Sequence, residues 1–104
     1  MSEHLLRRVE NIKIQASAQG DINARNFFED CGEIIVTLAD ISNTTHDELK
    51  AQMKKLVDMG RFLDENTKRL GRKYPDDPAI WLGLTIFFDS GKKDVNSKLY
   101  GVKY

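Results

Sequence analysis

The sequence predicts an all-α fold, a four-helix bundle-like domain, and three observations carry that prediction. Leucines recur every seven residues at Leu49, Leu56, Leu63 and Leu70. Apolar residues elsewhere fall at helical spacing, with charge on the intervening positions. The breaks between these segments are short clusters rich in Gly, Pro, Asn, Ser and Thr.

The first helix is expected over residues 3–19, with Leu5, Leu6, Val9, Ile12 and Ala16 on its apolar stripe. Gly20 suits its stop, because the residue closing a helix often takes a positive φ that glycine adopts without a Cβ clash. The second is expected over 22–42. There Phe27, Phe28, Cys31, Ile34, Ile35, Leu38 and Ile41 trace one face, and Glu29, Asp30, Glu33 and Asp40 lie off it. Gly32 costs this helix about 1 kcal/mol relative to Ala and marks a close approach by a neighbour.

Thr45-His46-Asp47-Glu48 fits a capping box, in which the Thr hydroxyl and the Glu carboxylate satisfy each other's backbone N–H groups. The third helix is therefore expected over 45–73. Its leucines alternate with Met53, Gly60, Thr67 and Tyr74, an a/d heptad pattern whose a-type positions are irregular. Met59 and Phe62 widen the apolar surface to a second stripe. Unbroken to Tyr74, this helix is about 45 Å long. That is too long for a rounded domain of this size, so a bend or close crossing at Gly60, a stop near Gly71, or projection toward another subunit is expected. The second and third helices are expected to form an antiparallel hairpin through Ser42–Thr45, the acids of 21–48 facing the bases of 50–73.

Asp77 before Pro78 reads as a helix cap followed by proline at the first helical position. Residues 78–90 form a fourth helix that is apolar on nearly all sides. Such a helix must be covered all round, in the core or in a subunit interface. Residues 1–91 are thus expected as the bundle, and 92–104 as a basic, flexible tail.

The chemistry-bearing residues form no catalytic or metal-binding pattern. His4 and His46 lack metal-ligand spacing, and Cys31 lies on an apolar stripe. The single cysteine excludes an internal disulfide or a cysteine cage, which makes a reducing, cytoplasmic setting the default. No apolar run is long enough to span a bilayer, and no membrane association is expected. No enzyme activity, cofactor or metal is expected.

The expected function is binding of another protein, as a regulator, inhibitor or immunity-type protein acting as a homodimer. Leu49, Leu56, Leu63, Leu70, Trp81, Phe87 and Phe88 are the residues expected to self-associate. The alternative is binding of nucleic acid or a nucleotide through a basic line on the third helix (Lys50, Lys54, Arg61, Lys68 and Arg72) with the Lys-rich tail. These same five residues could instead meet an acidic partner protein. A formal net charge of zero argues against a dedicated nucleic-acid binder.

Overall fold

Four helices follow one another up, down, up and down: α1 (Ser2–Ala18), α2 (Ile22–Ala39), α3 (His46–Lys73) and α4 (Ile80–Tyr100). The computed structural model describes residues 2–101 and the side chains of residues 4–101; no strand occurs among them. Backbones approach closely within two hairpins, α1 with α2 and α3 with α4, and the hairpins then share one core.

Local sequence sets each boundary. Gly20 adopts φ +70° and ends α1. Asp21 caps α2, its carboxylate accepting from the Ala24 N–H at 3.3 Å. α2 stops at Ala39, short of the expected 42. There the Asn43 amide donates to the Asp40 carboxylate (2.8 Å) and the Thr44 hydroxyl to the Asp40 carbonyl (3.1 Å), which diverts the chain into a 3-10 turn over Ile41–Asn43. The Thr45–Glu48 capping box forms with both reciprocal bonds, at 3.0 and 3.2 Å.

α3 runs unbroken through Gly60. Its 28 residues make a helix about 42 Å long, which matches the 42 Å long axis of the molecule. Leu49, Leu56, Leu63 and Leu70 are buried along its length, so the helix neither breaks at Gly60, stops at Gly71 nor projects. The expected crossing at Gly60 is absent, because a Cβ placed there would meet nothing within 4 Å. Close approaches occur instead at Gly32, beneath α1, and at Gly91. A Cβ on Gly91 would lie 2.9 Å from a Leu38 methyl and 3.3 Å from a Leu56 methyl.

That packing explains why α4 does not stop at Gly91. The glycine lets α4 pass under Leu38 and Leu56, Val95 is fully buried beyond it, and the helix ends at Gly101, φ +67°. Residues 92–100, expected as a flexible tail, are the last turns of α4. Residues 102–104 of that tail lie outside the described residues.

α2 and α3 are antiparallel as expected, but their backbones stand apart where aromatic side chains fill the space. Phe27 stacks on Phe62 (centroids 4.6 Å apart), and Phe28 meets Tyr74 edge-on at 6.1 Å. Trp81 and Phe88 of α4 complete this cluster against Phe28 and Phe27. The acidic and basic segments do attract across this edge, through Glu33–Lys55 at 3.8 Å and Asp21–Lys73 at 2.9 Å.

Candidate functional site

The α4 sequence Ile80-Trp81-Leu82-Gly83-Leu84-Thr85-Ile86-Phe87-Phe88 has more apolar residues than one buried face can hold. Ile80, Trp81, Leu84 and Phe88 recur at helical spacing and turn inward, where all four are buried. Leu82 and Ile86, four residues apart, form a ridge on the opposite side, 65% and 58% exposed. The expectation that every face of this helix is covered therefore does not hold within the single chain.

Beside the ridge, α1 and α4 enclose an apolar groove of about 300 Å³, walled by Leu5, Ile86 and Phe87. Gly83 lies on its floor. A Cβ there would stand 3.7 Å from a Leu5 methyl and 4.0 Å from the Arg8 guanidinium, ordinary contact distances. His4 and Arg8 line its polar edge.

Arg8 is fixed in place by Asp77, its Nε and Nη2 donating to the two carboxylate oxygens at 2.6 and 2.7 Å. This pair replaces the expected cap. Asp77 spends its side chain on α1, and Ala79, which makes no side-chain cap bond, precedes α4. The Arg8 bond and charge hold the Asp77 carboxyl below its usual range, against the opposing effect of burial, and Arg8 is raised in turn.

A second polar cluster pins the same α3–α4 connection. Tyr74 is 1% exposed, and its hydroxyl donates to Asp21 at 2.8 Å; Lys73 donates to the same oxygen at 2.9 Å. The Lys73 bond chiefly lowers the Asp21 carboxyl, with Tyr74 and the Ala24 N–H adding to it against burial. Burial, then Asp21, pushes the Tyr74 phenol up to about 12. Neither cluster was anticipated from sequence, since their members lie more than 50 residues apart. Asp21, following the Gly20 stop at the head of a helical pattern, and Asp77 before Pro78 were the members with a local signal, that of an N-cap.

The heptad residues Leu49, Leu56, Leu63 and Leu70 are buried in the chain's own core, as are Trp81 and Phe88. Of the residues expected to self-associate, only Phe87 reaches the surface groove. On α4 the exposed aliphatic side chains are Leu82 and Ile86 instead.

Lys50, Lys54, Arg61, Lys68 and Arg72 are all exposed along α3, and none forms an ion pair among the described residues. Asp58, Asp64 and Glu65 interleave with them, and Val57 is 41% exposed on the same line. Arg72 shares a shallow depression with Arg69 and Lys73, but Arg69 binds the Asn66 side chain and Lys73 binds Asp21.

A polar depression of about 600 Å³ between α1, α2 and α3 carries Glu10, Lys13, Glu33 and Lys55, paired among themselves. His46 is exposed at the start of α3. Cys31 is buried, and burial, with Asp30 nearby, pushes its thiol well above its ordinary value. No cluster of three His, Cys, Asp or Glu residues able to hold a metal occurs among the described residues. No described helix is long and apolar enough to cross a membrane.

Comparison with family models, curated proteins and solved structures finds no match to this chain.

Proposed function

We propose that this chain is a small non-catalytic protein that acts by binding another protein, in the manner of a regulator, an inhibitor or an immunity protein. The observation that supports this reading is the apolar ridge of Leu82 and Ile86 beside the groove floored by Gly83. Two large aliphatic side chains on one exposed face, next to an apolar concavity, suit an apolar partner surface. Leucine and isoleucine exposed at this spacing add nothing to the chain's own core. A buried, unpaired cysteine suits a reducing, cytoplasmic setting.

The test is capture of partners from the native host by the wild-type chain, by Leu82→Asp/Ile86→Asp and by Lys54→Glu/Arg61→Glu. The reading expects a captured protein to be lost with the ridge variant and kept with the basic-line variant. Loss with the basic-line variant alone, at unchanged helical circular dichroism, would favour the second reading, a polyanion or acidic surface meeting α3. The five unpaired bases on one exposed line support that alternative. If its target is nucleic acid, binding must weaken steeply with salt, because phosphate contacts release counterions.

A further inference from the structure

We propose that the C-terminal end of α3 carries a binding site for a phosphate group, formed by Arg69, Arg72 and Lys73 with Lys68 at its edge. The site goes beyond the protein-binding reading and does not rest on it. Residues 68–73 hold four bases and no acid. Among the described residues, only Arg69, Arg72 and Lys73 line a depression of about 360 Å³ there. The polar depression between α1, α2 and α3 is different, because each of its lysines is paired with a glutamate.

Two of the three lining cations are held in place, and neither tie puts a carboxylate in the depression. Asn66 anchors its own amide by donating to the Phe62 carbonyl at 2.8 Å. The Asn66 oxygen then accepts from Nε and Nη2 of Arg69 at 3.3 and 3.0 Å. A neutral amide orients the guanidinium and leaves it its full charge. Lys73 is fixed by Asp21 at 2.9 Å, and Asp21 does not line the depression. Arg72 and Lys68 are exposed and form no ion pair among the described residues. Asp64 and Glu65, the nearest acids along α3, pair with neither and stand outside the depression. Three lining cations set against the single Asp21 carboxylate leave two positive charges, the complement of a phosphate dianion. Guanidinium groups also present paired N–H donors that match phosphate oxygens.

The helix dipole accounts for only part of this cluster. Arg72 and Lys73 lie in the last turn, where positive charge offsets the carbonyl end of α3. Lys68 and Arg69 come before that turn, where the benefit has faded.

Amide NMR titration of the full chain with inorganic phosphate and with pyrophosphate, at about 20 mM ionic strength to limit screening, tests the proposal. Saturable shifts are expected at residues 66–73, with pyrophosphate the tighter ligand. Lys68→Gln/Arg72→Gln should weaken binding about fivefold or more. Asn66→Ala leaves the net charge unchanged but releases Arg69, and should weaken binding about threefold. Lys50→Gln/Lys54→Gln removes the same charge near the start of α3 and should leave affinity within about twofold. Lys50, Lys54, Lys68 and Arg72 are exposed, so the fold should survive, and circular dichroism on each variant checks this. Shifts that do not saturate at 66–73 overturn the proposal. Equal weakening by the two charge-removing pairs overturns it as well, because that marks diffuse attraction, and so does an Asn66→Ala variant that binds like the wild type. A single-stranded oligonucleotide identifies the source of the phosphate. Binding that depends on Lys50 and Lys54 as much as on Lys68 and Arg72 belongs to the whole basic line of α3, and overturns a local site. Each of these failures leaves the capture test on Leu82 and Ile86 standing.

Discussion

Tyr74 is fully buried with its hydroxyl on a carboxylate, and that placement has consequences in both acid and base. The bond to Asp21 is charge-assisted and lies beneath the aromatic cluster. Tyr74→Phe is expected to cost about 1.5 to 2 kcal/mol at neutral pH, measured by denaturant unfolding, because it removes a hydrogen bond to a charged group. The pH dependence follows from the directions of the shifts. Tyr74 is protonated in the fold up to about 12, whereas an unfolded tyrosine ionises near 10. Its contribution is whole below pH ~10 and fades between about 10 and 12. Wild type minus Tyr74→Phe stability should therefore fall by about 2 kcal/mol across that window. Asp21 runs the other way. Its folded value is lowered, so its contribution is present above the ordinary carboxylate range and is lost as pH falls through the folded value. A double-mutant cycle on Arg8→Ala and Asp77→Ala should return a coupling of about 1 kcal/mol, modest because both side chains keep a quarter or more of their surface in water.

Among the elements, the glycines of α3 and α4 make opposite predictions. Gly60→Ala meets nothing within 4 Å and should stabilise the protein by about 0.5 to 1 kcal/mol, through helix propensity alone. Gly91→Ala gains the same propensity but drives a methyl against Leu38 and the fully buried Leu56, so it should be net destabilising. Thermal unfolding of the two variants in parallel checks both signs. These residues also mark how far the sequence could be read. Helix existence, the capping box and the Gly20 stop were legible, because each depends on residues within a few positions of one another. The crossing read at Gly60 lies at Gly91 instead, since which glycine carries a close crossing depends on what lies opposite it. Asp77 before Pro78 carried a valid local cap signal, which a distant arginine overrode. The apolar ridge was half legible. The excess of apolar residues in α4 was evident, but which of them face outward is settled by the register of α4 on α1 and α3.

For the whole molecule, the long heptad helix proves to be the long axis of a self-contained bundle. Two hairpins meet through aromatic side chains, and two polar clusters pin the α3–α4 connection to the first hairpin. The leucine repeat is used up within the core, and the protein-binding reading we propose assigns the contact to the α1–α4 face. The most direct test of that claim is a set of amide NMR spectra of the chain titrated with a protein captured from the native host. The account predicts shifts confined to the neighbourhood of Leu5, Arg8 and Leu82 through Ser90, with α3 unmoved at Lys50, Lys54 and Arg61. Spectra unchanged on that face, or changes centred on the basic line of α3, would contradict it.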